Sequence, residues 1–270
     1  MIARRVGLVA LHVFKESVRD RVLYAIAAFA VLLVSASLLI GQITAGQDVK
    51  IIKDLGLATI EFAGLAMALF TGVGLVSREI ERRSIFNLLS KPLPRWEFIV
   101  GKYAGLVLTI VVNVSFMTAA LFVVLAWMGW AAPDNVRRSW DAPAADPHLL
   151  LAVVLIVAEL ALVTAIALFF STFSSSALLS LIFTLGLWVV GLASQDLRHF
   201  GDLVESPAVP IVAAIGWILP AFSAFDIKTA VVHGHAVTVG LVAWRLLYAG
   251  VYAAASVAAA VLVFSRREFR

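Results

Sequence analysis

The chain has 270 residues, of which 62% are hydrophobic and only 14% charged, with a mean hydropathy of +1.01. That balance excludes a soluble domain of this size and sets polytopic membrane protein as the default class. The net charge of +4 comes from Lys and Arg grouped at the edges of apolar runs, so it marks orientation and anionic lipid headgroups rather than nucleic acid, and the absence of cysteine excludes disulfides and thiolate chemistry.

In chain order, residues 1–21 form an amphipathic helix. At about 100° per residue, Arg4, Arg5, His12, Lys15, Glu16 and Arg19 fall within an arc of roughly 120°, with Ile2, Val6, Val9, Ala10, Val13 and Phe14 on the other side. Such a helix is expected to lie in the membrane plane on the cytoplasmic side, as a lipid anchor or as a partner-contacting element. Six apolar stretches then reach the roughly twenty residues that a crossing requires, near 22–43, 55–76, 103–128, 149–173, 177–193 and 241–264. The first follows a long charged segment rather than a short basic region and cleavage site, so it is expected to remain as a span. Ser174–Ser176 joins the fourth and fifth as a tight hairpin.

Lys and Arg set the orientation. The stretch before the first span, the segment 78–102 and the tail after residue 264 together carry fourteen of the 21 basic side chains. Both termini and the 78–102 segment are therefore expected to be cytoplasmic, a parity that six spans satisfy. The outer segment 194–240 contains an apolar run at 207–222, punctuated by Pro207, Pro210 and Pro220. At about 16 residues it is short for a crossing and suits a re-entrant or interfacial helix on the outer side. No internal repeat is evident.

The segment 78–102 carries more than charge. Ser84 can cap a short helix whose Ile85, Leu88 and Leu89 share one apolar face, and Pro92 and Pro94 end it. Trp96 and Phe98 can anchor the return at the interface, and Lys102 opens the third span. A lipid-binding loop would need no apolar face and no proline-stiffened return. A docking knob for another protein needs both.

Catalytic signatures are missing. There is no GxxxxGK[ST] phosphate loop, no HExxH pair and no GxSxG elbow, and without a phosphate loop the chain cannot itself be a P-loop nucleotidase. His233 and His235 lie close together in an outer loop but lack neighbouring ligands in sequence, so no metal site is expected. Three intramembrane polar residues call for an explanation: Glu61, Asn113 and Glu159. Glu159 and Asn113 enter from opposite faces to similar depths, so a hydrogen bond between them is expected. The alternative is a substrate- or proton-contacting acid at Glu159. Glu61, nearer the outer end of its span, is expected to reach water there.

The run Arg78-Glu79-x-Glu81, then Asn87-Leu88-Leu89-Ser90-Lys91-Pro92-Leu93-Pro94-Arg95, then Gly101-Lys102 resembles the type-2 ABC exporter permeases. The amphipathic start, six spans, the outer Ile218-Leu219-Pro220 region and the Arg-Arg-Glu-Phe tail are similar to the same family, most closely to the branch of multidrug, sodium and copper-enzyme-maturation permeases. The chain departs from it at Arg83-Ser84, where many relatives carry Gly-Thr.

The resemblance implies an all-α integral membrane protein with one transmembrane domain, in the cytoplasmic (inner) membrane, pairing with a second permease copy or homologue. It implies a cytoplasmic ABC ATPase dimer that holds ATP and Mg and docks on Glu79, Glu81, Ile85, Leu88, Leu89 and Arg95. It implies export, or force transmission to an extracytoplasmic partner, and no catalytic site in this chain. The competing reading is an ion-coupled secondary transporter or channel working through Glu61 and Glu159.

Overall fold

A computed structural model describes residues 2–18, 48–81, 94–174, 176–194, 196 and 209–266, with 24, 27, 28, 31, 32, 35 and 36. The described chain is all-helical. Its elements are α1 (Ile2–Val18), α2 (Asp48–Glu81), α3 (Arg95–Ala131), α4 (Asp134–Arg137), α5 (Leu149–Phe173), α6 (Ala177–Leu192), α7 (Val209–Ile218), a 3-10 turn at Phe222–Phe225, α8 (Lys228–Val232) and α9 (Val239–Arg266). Among the described residues, four helices are long and apolar enough to cross a membrane: α2 within Val49–Val73, α3, α5 and α9. The fifth apolar helix, α6, is shorter. Most of the first predicted span, 22–43, lies outside the described residues.

Helix α5 is the centre of the bundle. It is apolar all round, as a helix enclosed by others must be, and it packs against α2, α3, α6 and α9. In lipid no hydrophobic drive pulls helices together, so close approach relies on small residues. Gly56, Gly64 and Gly72 supply it along α2, facing Leu121 of α3 and then Leu160 and Ala167 of α5. Helices α3 and α9 keep much of their surface outward, with Phe116, Val123, Trp244 and Val251 exposed.

The predicted cytoplasmic segment 78–102 contains the end of α2 and the start of α3, while 82–93 lies outside the described residues. Pro94 precedes α3, and its carbonyl accepts the amides of Glu97 and Phe98, so the helix begins two turns ahead of the predicted span start at 103. This end of the bundle is tied together. Arg95 donates from Nη1 to the carbonyls of Phe264 (3.3 Å) and Ser265 (3.0 Å), satisfying orphan acceptors at the negative end of α9. Phe98 stacks on Phe264 at 6.0 Å, and the buried Lys102 ammonium sits 4.7 Å from the Phe98 ring centre.

Helix α1 lies across the start of α3. Gly101 and Gly105, one turn apart, open a groove into which Val6, Val9, Ala10 and Val13 fit, and Val13 is 3% exposed. Arg4, Arg5, His12, Lys15 and Glu16 face outward, while Leu8 and Leu11 are the exposed apolar exceptions. The amphipathic helix is thus clamped to a bundle helix, backbone close to backbone.

Candidate functional site

At the opposite end of the bundle, the chain between α7 and α9 folds inward as a plug. Ten residues of α7 span about 15 Å, half of a hydrocarbon core. The chain then breaks at Pro220. Beyond it Ala221, Phe222, Phe225, Ile227, Val231 and Val232 are all buried, most of them at 3% exposure or less. Irregular backbone at such a place must find partners inside the protein. The Ala221 amide donates to Tyr248 Oη (2.9 Å), Ala224 to the Ala221 carbonyl (3.2 Å), and Lys228 to Asp226 Oδ1 (3.0 Å). Gly191 at the end of α6 permits the approach: a Cβ there would stand 2.6 Å from the Pro220 carbonyl oxygen.

One ion pair holds the plug to the bundle. Lys228 Nζ donates to Glu61 Oε2 on α2, and the two side chains are only 16% and 14% exposed. Asp226 stands 3.7 Å from the same ammonium. Burial alone would push the Lys228 ammonium below its ordinary value. The hydrogen bond and charge of Glu61, followed by Asp226 and Glu159, outweigh burial and hold it above that value. Lys228 is therefore a cation throughout the physiological range.

Glu159 is 4% exposed, and its Oε1 accepts a 2.8 Å hydrogen bond from Trp188 Nε1 of α6. The expected bond to Asn113 is not made. Asn113 Nδ2 instead donates to the Thr109 carbonyl of its own helix (2.8 Å). Similar depth along two helices does not fix which way each residue faces, and Asn113 spends its amide on its own helix. Glu61, expected to reach water, is turned into the ion pair. The Glu159 bond ties α5 to α6, and such interhelical bonds contribute about 1 kcal/mol in a membrane. Trp188→Phe is accordingly expected to lower thermal stability in nanodiscs, whereas Glu159→Gln, which keeps an acceptor oxygen, should lower it less. Equal losses in the two variants would mean that the acid matters for some reason other than this bond.

A cavity of about 620 Å³ lies beside the plug, lined among others by Glu61, Ser223, Asp226 and Arg245. His233 and His235 stack at 6.2 Å, and no group of three or more His, Cys, Asp or Glu able to hold a metal occurs among the described residues.

Of the residues expected to dock a partner, Arg95 is placed at the far end of the bundle, on the α9 terminus. Glu79 and Glu81 stand in the last turn of α2, their side chains outside the described set, and Ile85, Leu88 and Leu89 lie wholly outside the described residues. Sequence reasoning missed Lys228, Trp188 and Arg245. A lysine just after an apolar run and an arginine within the last span were the available signals, since a cation at such depth calls for a partner.

The family described as ABC-2 family transporter protein matches residues 8–269. No curated protein matches the chain. The chain belongs to the ABC-2 transporter family and is a membrane transport protein.

Proposed function

We propose that this ABC-2 family member is the transmembrane permease subunit of an ATP-driven exporter, paired with a second permease copy or homologue. A cytoplasmic ATPase dimer, holding ATP and Mg, grips the segment 78–102 of each permease. Six spans place both termini and the Arg95 end of the bundle in the cytoplasm, in the inner membrane, with the plug at the outer side.

The observation that supports this reading most is the continuity of α2. It is one helix from Glu61, which holds the plug, to Glu79 and Glu81, which border the segment offered to the motor. Twenty residues at 1.5 Å each make a strut of about 30 Å. Helix α3 leaves the same segment carrying α1 on its glycine groove. A pull on the segment therefore moves α1, α2 and α3 at their cytoplasmic ends and shifts Glu61 at the outer end. The energy comes from ATP binding one permease arrangement more tightly than the other. At the outer face the movement either frees a substrate or works on an extracytoplasmic partner. The ion-coupled alternative requires Glu61 or Glu159 to take up an ion, and both carboxyls are already engaged by Lys228 and Trp188.

The Glu79→Lys/Glu81→Lys double variant tests the docking face. The permease should fold and reach the membrane while its ATPase no longer co-purifies, and ATP hydrolysis in the permease fraction should fall at least ~10-fold, the scale on which like-charge juxtaposition disrupts an interface. An unchanged amount of bound ATPase would remove these acids from the docking face.

A further inference from the structure

We propose that the cavity beside the plug is a binding site for an oxyanion, the head of an amphiphile or a free anion of the same chemistry. Two buried donor atoms on its wall have no hydrogen-bond partner: Nη1 of Arg245 on α9 and the hydroxyl of Ser223 in the 3-10 turn. A buried donor left unmade is costly, and a guanidinium in an apolar bundle needs an anionic partner in contact more than most groups do.

The other charges around the cavity do not fill this role. Lys228 binds Glu61 and lies 3.7 Å from Asp226, so one ammonium already serves both acids on the wall. Asp226 is near enough to act on Arg245 electrostatically, yet no ion pair joins them. An incoming oxyanion bound at Arg245 and Ser223 would give both donors an acceptor and Arg245 an anion in contact, and Arg is suited to it by its planar donor fork. Asp226 and Glu61 oppose such a ligand, and Lys228 offsets them.

The walls say more about its form. Leu192, Phe222, Ile227 and Leu241 line the same space, and Leu192 and Leu241 are also exposed on the bundle surface. The volume of about 620 Å³ falls within the usual range for small-ligand cavities. It accommodates a charged head with several methylenes, or a hydrated inorganic anion. This site does not depend on the motor reading, because it is assembled from one chain without the ATPase.

The purified full-length chain is titrated with two probes: inorganic phosphate in zwitterionic nanodiscs, and nanodiscs of phosphatidylcholine containing increasing phosphatidylglycerol. Binding is read by native mass spectrometry. Saturable binding of at least one probe is expected, weakened ~10-fold or more by Arg245→Gln through loss of a charge-assisted bond, less by Arg245→Lys and by Ser223→Ala, and not at all by the exposed Arg138→Gln. Asp226→Asn should tighten it. Response to phosphate alone identifies a soluble oxyanion, and response to phosphatidylglycerol alone identifies a lipid head. Failure of both probes to saturate, equal binding by wild type and Arg245→Gln, or weakening by Asp226→Asn overturns the proposal. Should Arg245→Gln not fold, Arg245→Lys and Ser223→Ala decide it.

Discussion

Lys228→Met is expected to release the plug from α2 and to destabilise the permease by about 3–5 kcal/mol, the usual cost of removing one partner from a buried pair. The cause is the carboxylate left behind. Glu61 is 14% exposed, and among the described residues it has no other cation in contact. Glu61→Gln should cost less, since Gln still accepts from the ammonium. The double variant Glu61→Gln/Lys228→Met should be more stable than Lys228→Met alone, a non-additivity that identifies direct contact. The chain contains no cysteine, so an introduced Ile227→Cys, at a site 7% exposed in the plug, reports the release directly. Its maleimide labelling should be slow in the parent and at least ~10-fold faster with Lys228→Met, as expected when more than 1.4 kcal/mol of local stability is lost. Unchanged stability together with unchanged labelling would show that apolar packing alone holds the plug.

The second large effect is expected at the opposite end. A Cβ at Gly105 would stand 2.6 Å from the Ala10 carbonyl oxygen and 2.8 Å from Val13 Cβ, and one at Gly101 would stand 2.7 Å from Val9 Cβ. Because a backbone atom is among the neighbours, a rotamer change cannot relieve the clash, and α1 must lift. Gly105→Ala should weaken the contact by about 1–3 kcal/mol, in the range of overpacking, and Gly105→Leu should detach the helix. Hydrogen exchange over residues 2–18 is expected to quicken in that order while α5 stays protected. Nucleotide hydrolysis by the assembled complex should fall in parallel, because α1 and α3 would no longer move as one body. Retained protection of α1 in Gly105→Leu would mean that the helix is held by something other than this groove.

Long apolar helices were readable where the chain carries its own punctuation. The expected fourth span and α5 share the bounds 149 and 173 because Pro147 and His148 precede the helix and the serine turn follows it. The expected third and last spans, 103–128 and 241–264, lie inside longer helices, since hydropathy marks only the part in hydrocarbon, whereas α3 runs on through its charged first turns to Pro94. The plug was half visible. Three prolines and an apolar run too short to cross signalled a non-spanning segment, but only the fold brings Lys228 to Glu61, 167 residues away.

The same limit explains Glu159. Its depth could be counted along the helix, yet its partner depended on rotation about the helix axis, which selected Trp188 over Asn113. The Gly101–Gly105 spacing was present all along as a small-xxx-small pattern. Its significance depended on α1, an amphipathic helix that could equally have rested on lipid.

The central claim is that a separate nucleotidase drives this chain through its cytoplasmic segment. The most direct measurement is gentle-detergent purification of the tagged chain from its native membranes, with crosslinking, mass spectrometry of the retained subunits and assay of ATP hydrolysis. The account predicts a subunit carrying a GxxxxGK[ST] motif at one copy per permease, hydrolysing ATP and lost on Glu79→Lys/Glu81→Lys. A crosslinked, folded permease that retains no nucleotidase and no ATP hydrolysis would contradict it.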